Sequence, residues 1–174
     1  MSLTGKNIAV LVESDFEDDE LIKPLEAVKQ AGASVMVVGG EKGKQYSGKR
    51  QRAEVTADAS AAEVVPEKFD AVIIPGGYAP DKMRLHPPMI EMVRKTFEDG
   101  GIIAAVCHGP QLLISAGIVK GKRMTSWPSI AVDLKNAGAD WVNEEVVQDG
   151  NIITSRKPSD LPAFNDAIIR SLGG

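Results

Sequence analysis

The sequence predicts an α/β fold, a doubly wound domain with a mainly parallel central sheet. Three observations carry that prediction. Ile8-Ala9-Val10-Leu11-Val12, Ala71-Val72-Ile73-Ile74 and Ile102-Ile103-Ala104-Ala105-Val106 are short, continuous apolar runs. Each is too short for a buried helix and does not alternate, which fits strands buried on both faces. A loop rich in Gly, Pro or Asp follows each run and usually leads into a helical pattern, and this alternation of strand and helix is the pattern of a parallel sheet covered by helices.

The chain has 174 residues, enough for one domain, over residues 1–174, that buries about 70% of its unfolded surface. The 24 acidic and 20 basic residues leave a net charge of −4, and aromatic residues make up only 5%. That balance speaks against a nucleic-acid partner, which needs a basic face. A single cysteine excludes an intrachain disulfide, and with only two histidines there is little material for a metal site, so no metal or cofactor is expected. No run reaches the ~20 apolar residues of a membrane span, and the first seven residues lack the apolar stretch of a secretory signal. A cytoplasmic protein with no membrane partner is the expectation.

Element by element, Ile8–Val12 is the first strand. A helix follows from near Asp18, with Leu21, Ile22, Leu25 and Val28 at helical spacing and Ala31-Gly32 as its stop. Pro24 inside it predicts a kink or a late start, because proline removes a backbone donor and crowds the preceding turn. Val35–Val38 is a further strand. Glu41–Glu54, polar and glycine-spotted, reads as an excursion with a small hairpin. Pro87–Asp99 is a second helix, with proline in its permissive first turn and Gly100-Gly101 beyond its end. A third helix follows Cys107, a fourth begins near Pro128, and a fifth spans Ser159–Leu172 with Ser159 as N-cap. Glu145–Ile153 is a hairpin turning at Asp149-Gly150.

In such folds ligands bind beyond the carboxyl ends of the strands. Three groups fall on that rim: Glu13, Pro75-Gly76-Gly77 and Cys107-His108-Gly109-Pro110. Cys107 stands where a buried strand turns into a helix, the layout of a nucleophile elbow, with the positive end of the helix favouring thiolate. A buried cysteine also packs as a small hydrophobe; the rim position and the adjacent histidine favour chemistry. Neighbouring residues of a regular helix do not face each other, so a working Cys107–His108 pair requires a strained turn at Cys107; otherwise His108 caps the helix. Glu13, at a strand end, could donate a hydrogen bond to a Cys107 thiolate, or be an ordinary loop acid. The acidic stretch Asp15 to Glu20 reads as complement to the helix dipole and lacks the glycine and spacing of a calcium loop. Gly76-Gly77 lets backbone N–H groups approach a ligand and, with the N–H of His108, could form an oxyanion hole. Gly39 to Lys44 lacks the spacing of a phosphate loop and reads as a plain turn.

Ala105-Val106-Cys107-His108-Gly109-Pro110-Gln111-Leu112-Leu113 and Pro75-Gly76-Gly77-Tyr78-Ala79-Pro80-Asp81 together resemble the ThiJ/PfpI family, in particular its intracellular protease, general stress and deglycase-like members. Phe16-Glu17-Asp18, Thr125-Ser126-Trp127-Pro128, Lys135–Ala139 and Thr154–Pro162 are similar too, so the resemblance covers essentially the whole chain. It implies a flavodoxin-like three-layer sandwich. It also implies Cys107 as nucleophile with Glu13 hydrogen-bonded to it, Gly77 and His108 as oxyanion-hole amides, and His108 as acid/base. Asp81, in the position of an acid that reaches across a subunit interface, would orient His108. On this pattern Trp127 lines the site and Arg156 is a weaker binding candidate. A homo-oligomer follows, a dimer at least, with a hexamer as the larger alternative.

The resemblance implies glyoxalase III activity, converting methylglyoxal and water to lactate, or deglycase activity on early glycation adducts, so the expected substrate is a small dicarbonyl or a glycated protein or peptide. An oligomeric cysteine peptidase and a redox-sensing stress chaperone are the alternatives.

Overall fold

The structure is a computed structural model that describes residues 1–173. In chain order it contains β1 (Asn7–Leu11), α1 (Asp18–Gln30), β2 (Ser34–Gly39), β3 (Gln45–Ser47), β4 (Glu54–Thr56), β5 (Ala59–Ser60), β6 (Ala71–Ile74), α2 (Ala79–Met83), α3 (Pro87–Glu98) and β7 (Ile102–Val106). There follow α4 (Pro110–Ala116), β8 (Arg123–Met124), α5 (Ala131–Asn136), β9 (Asp140–Trp141), β10 (Val146–Asp149), β11 (Ile152–Ser155) and α6 (Leu161–Gly173).

Seven strands form the central sheet in the order β10-β11-β7-β6-β1-β2-β5. All neighbours are parallel except β10, which runs antiparallel to β11 at one edge. The three apolar runs are the three adjacent central strands β1, β6 and β7. Ile8–Leu11, Ala71–Ile74 and Ile103–Val106 are fully buried, which is why they are apolar at every position rather than at alternate ones. α1 and α6 pack together on one face of the sheet, and α3 and α4 on the other. The predicted three-layer α/β sandwich is therefore the observed architecture.

Several boundaries differ from the expectation, each for a physical reason. α1 starts at Asp18 and runs through Pro24 without a late start. Pro24 lies on its buried side with Leu21, Leu25 and Val28, so packing of the apolar stripe outweighs one lost helical hydrogen bond. Ser159 is not an N-cap. It lies inside a 3-10 turn, Pro158–Asp160, that precedes α6. Asp160 closes that turn instead, accepting from the backbone N–H of Arg156 at 3.2 Å and from its guanidinium at 2.9 and 3.1 Å. The fourth helix begins as a 3-10 turn at Pro128 and becomes α5. The excursion after β2 is the β3–β4 hairpin, and α2 was not anticipated.

At the switch point of the sheet, β1 leads one way to β2 while β6 leads the other way to β7. The carboxyl ends of β1, β6 and β7 thus open onto one crevice. Phe16 bridges across it, pairing with Gly77 on one side and Gly48 of the hairpin on the other.

Candidate active site

Cys107 follows β7 with φ +61°, a left-handed conformation that a non-glycine residue adopts only at a cost. The surrounding backbone holds it there. The Cys107 N–H donates to Ser155 O at 3.0 Å, its carbonyl accepts from Trp127 N–H at 2.9 Å, and Gly109 N–H closes the turn onto Val106 O at 2.8 Å. The strained turn brings the adjacent imidazole back over the sulfur, with His108 Nδ1 at 3.3 Å from Cys107 Sγ. The backbone N–H groups of His108 and Gly77 lie near the sulfur and favour its charged form.

The carboxyl beside the thiol is that of Glu20, in the first turn of α1, not Glu13. Glu20 is fully buried. Its Oε2 accepts Gly76 N–H at 2.8 Å, Oε1 has no hydrogen-bond partner among the described residues, and the carboxyl lies next to the Cys107 thiol. Burial pushes the Glu20 carboxyl up to about 7; the Gly76 N–H partly opposes the rise and the neighbouring Glu17 charge adds to it. Burial also pushes the Cys107 thiol up, the Glu20 charge adds to this, and the N–H groups of His108 and Gly77 oppose it. The carboxyl and the thiol are therefore one coupled pair. When Glu20 holds a proton, its charge no longer opposes a thiolate, and its O–H can donate to the sulfur.

The chain path explains why Glu13 is elsewhere. After Glu13 the backbone turns at Asp15, which has φ +64°, and crosses the rim at Phe16. That crossing carries α1, and with it Glu20, under the cysteine. Glu13 stays on the far side of the crossing, bonded to Ser14 N–H at 2.7 Å and to His86 Nε2 at 3.0 Å.

Glycine is required at two positions here. A Cβ on Gly76 would lie 2.8 Å from Cys107 Cβ and 3.1 Å from His108 N, and would also collide with the Glu20 carboxyl. Gly77 has φ +76°, and its Cβ would overlap the backbone of Asp15, Phe16 and Glu17.

A cation stands at the same rim. Lys49, at the β3–β4 loop, is paired with the buried Glu17 at 2.8 Å and lies 5.7 Å from the Tyr78 ring centroid. Asp18 builds that loop by accepting the N–H groups of Arg50, Arg52 and Ala53 at 2.9–3.0 Å. Burial works against the Asp18 carboxylate, but these three bonds outweigh it and hold its pKa below the usual value. The hydrogen bond to Glu17 raises the pKa of Lys49. Burial and the Lys49 charge together lower that of His108, leaving a neutral imidazole at neutral pH.

The other sequence candidates lie around this centre. Asp81 is exposed on α2, and its carboxylate has no partner among the described residues. Among the described residues His108 Nε2 meets only Ser129 Oγ, at 3.4 Å. Trp127 is tied to the elbow through its backbone and is partly exposed. Arg156 is held by Asp160 and Asn143 rather than by any group at Cys107. A cleft of about 610 Å³ lies at the opposite end of the sheet, where Asn7 and Ser34 begin β1 and β2, far from this chemistry.

The DJ-1/PfpI family profile matches residues 6–171, nearly the whole chain and all of the elements that build this site. The chain belongs to the DJ-1/PfpI family. It is 43% identical over 170 residues to Protein/nucleic acid deglycase 2 of Escherichia coli, an alignment covering 97% of this chain and 99% of the relative. It is 47% identical over 163 residues to General stress protein 18 of Bacillus subtilis, covering 92% and 94%. Deglycase PfpI of Pyrococcus furiosus is 43% identical over 165 residues, covering 95% and 98%. Among solved structures, Drosophila melanogaster DJ-1beta superposes with a TM-score of 0.90 at 34% identity, covering 100% of this chain and 92% of that one. A two-domain protein from Anabaena variabilis, with DJ-1/ThiJ/PfpI-like and ferritin-like domains, reaches a TM-score of 0.95 at 47% identity; the match covers 97% of this chain and 48% of that one.

Within this DJ-1/PfpI frame, sequence reasoning missed Glu20, Glu17 and Lys49. A signal for Glu20 was present: it stands four residues before Pro24, on the buried stripe of α1. Lys49 offered none, because its position depends on how Asp18 folds the hairpin loop back to the rim.

Proposed function

We propose that this protein is a cysteine-dependent stress enzyme that acts on small dicarbonyls or their early glycation adducts through Cys107. The observation that carries this reading is the convergence on one sulfur of a histidine at 3.3 Å, a buried carboxyl raised to about 7 and two backbone N–H groups. Relatives named as deglycases, of nearly the same length, support it.

With methylglyoxal the sequence balances without an external oxidant. The Cys107 thiolate adds to the aldehyde carbon, and the resulting hemithioacetal oxygen takes up a proton. His108, neutral at neutral pH, removes the hydrogen of the former aldehyde carbon, and the electrons pass into an enediol. The N–H groups of Gly77 and His108 are placed to hold the developing oxyanion. Protonation at the second carbon leaves a lactate thioester, in which the first carbon is oxidised and the second reduced. Water cleaves the C–S bond, releasing lactate and restoring the sulfur. On a glycation adduct the same nucleophile would release the amine before hydrolysis.

The active site is completed by a second copy of the chain. Within one chain His108 Nε2 has no carboxylate partner, and Asp81 has no partner at all among the described residues. The segment around Asp81 also exposes Tyr78 and Leu85, at 67% and 80%, apolar area that a subunit contact would cover. The test is lactate formation from methylglyoxal by purified protein, with Cys107→Ala as control. Equal rates in the two proteins overturn the reading, and peptide cleavage without lactate formation would assign a peptidase instead.

A further inference from the structure

α2 is only five residues long, too short to hold its own position, since isolated helices of this length are not stable in water. Tertiary contacts must therefore fix it. At its start, Tyr78 N–H donates to Asp15 O at 2.9 Å. In its middle, Lys82 is paired with Asp15. Beyond its end, Arg84 Nε donates to Ser115 Oγ at 2.7 Å, and His86 reaches back to the rim of the sheet.

His86 is the junction between α2 and α3. The following Pro87 favours an extended backbone there, as observed at φ −108° and ψ 93°. This turns the imidazole across the ends of β1 and β2. The bare backbone of Gly40 leaves room for it, as a Cβ there would lie 3.1 Å from His86 Cε1. Its Nε2 meets Glu13 Oε2 at 3.0 Å. The Glu13 side chain is only 9% exposed, and its other oxygen is occupied by Ser14 N–H. Among the described residues, His86 is thus the one side chain hydrogen-bonded to the buried Glu13 carboxylate. Such a carboxylate is costly to leave unpaired, so the contact has a strong preference for a single geometry. A neutral Nε2–H imidazole and an imidazolium both donate, so the contact does not require one protonation state.

We infer that Glu13 and His86 are positioning residues: their hydrogen bond clamps α2 to the rim so that Asp81 is presented at a fixed place to the neighbouring copy. The inference rests on the reading of Asp81 given above. It concerns neither the sulfur nor its proton, and gives Glu13 a different task from that of Glu20. A displacement of about 1 Å at a catalytic group can cost up to a hundredfold in rate, so a loosened α2 should be visible in turnover.

The experiment combines kinetics with hydrogen exchange on the full-length protein. His86→Ala is expected to lower kcat for methylglyoxal by about tenfold, with KM within about twofold, while His86→Gln, whose amide can replace Nε2, restores most of it. In an Asp81→Ala background, His86→Ala should cause no further loss, because residues acting through one another are not additive. Exchange of the amides of residues 79–86 should rise about tenfold in His86→Ala while β1 and α3 stay unchanged. If His86→Ala does not fold, Glu13→Ala carries the same test. Equal losses in both backgrounds, no loss at all, or unchanged exchange over 79–86 would each overturn the clamp. Full activity of Asp81→Ala alone would overturn the role of Asp81 instead, and the exchange measurement would still decide whether the clamp exists.

Discussion

The Glu20 carboxyl lies beside the Cys107 thiol, although α1 carries one and the turn after β7 carries the other. The Gly76 backbone completes the arrangement by donating to Glu20 at 2.8 Å while crowding Cys107 Cβ. Burial, partly opposed by that N–H, holds the acid at about 7, close to the working range of a group that must both hold and release a proton.

The burial of Glu20 makes stability fall as pH rises. The folded value of Glu20, about 7, lies above its ordinary value of 4.5. Below 4.5 both folded and unfolded chains hold the proton. Between 4.5 and 7 the folded chain holds it while the unfolded chain has lost it, so stability declines as pH rises across that window. The rise corresponds to about 3 kcal/mol. Glu20→Gln removes the titration, and its urea unfolding free energy should lack this decline between pH 5 and pH 8. The variant should also lose at least about tenfold in kcat/KM, because an amide cannot pass a proton. Parallel stability–pH curves for the two proteins would contradict the coupling.

Lys49 should set the acidic limb of the pH–rate profile. Burial and the Lys49 charge lower the pKa of His108, so removing that charge in Lys49→Gln lets it rise. The acidic limb should move to higher pH and activity at pH 6 should fall, with less change at pH 8. Because the lysine is held by the buried Glu17 at 2.8 Å, Glu17→Gln should shift the limb in the same direction by loosening it. An unshifted limb in both variants would separate Lys49 from His108.

Asp18 and Gly76 test whether the rim is built as a unit. Asp18→Ala leaves the N–H groups of Arg50, Arg52 and Ala53 without their acceptor, a loss of about 1 kcal/mol for part-buried donors that water can reach. Since the Asp18 carboxylate is held below its usual pKa, its contribution is present above the unfolded value and disappears as pH falls through the folded one. The wild type and Asp18→Ala should therefore converge in stability in acid, as read by thermal unfolding across pH. Gly76→Ala forces a methyl between Cys107 and Glu20. It should cost about 1–3 kcal/mol by overpacking and slow the alkylation of Cys107 by iodoacetamide, whereas an unchanged alkylation rate would contradict the crowding.

The parts legible in the sequence were those that depend on local pattern. Ile8–Leu11, Ala71–Ile74 and Ile102–Val106 are apolar at every position because both faces of the sheet are covered, and that alone yields a parallel sheet and its rim. Cys107 and His108 are legible for the same reason, since a strand end followed by Gly109-Pro110 defines the turn. The identity of the acid was not legible. Glu13 and Glu20 are both glutamates near the end of β1, and the choice between them depends on the turn at Asp15 and the bridge from Phe16 to Gly77, which are long-range features. Lys49 was hidden likewise, because a surface lysine in a polar hairpin becomes part of the site only when Asp18 gathers the loop.

The shared site makes a quantitative prediction for mixed assemblies. Cys107→Ala and Asp81→Ala should each be nearly inactive when assembled alone. If Asp81 serves the His108 of a neighbouring copy, mixing the two variants in equal amounts with subunit exchange creates some sites with both groups intact. An intact cysteine and an intact aspartate are drawn independently from two chains, so about a quarter of wild-type activity should return, for a dimer or any larger ring with one such contact per site. If Asp81 acted within its own chain, no mixture could contain an intact site and activity would stay at the level of the variants. The Tyr78 and Leu85 surface predicts the companion result: Leu85→Glu, placing charge on an 80% exposed apolar position beside Asp81, should weaken assembly in sedimentation and remove activity at low protein concentration while leaving the helical signal of the chain intact. Activity that does not depend on protein concentration, together with a mixture that recovers nothing, would confine the chemistry to a single chain.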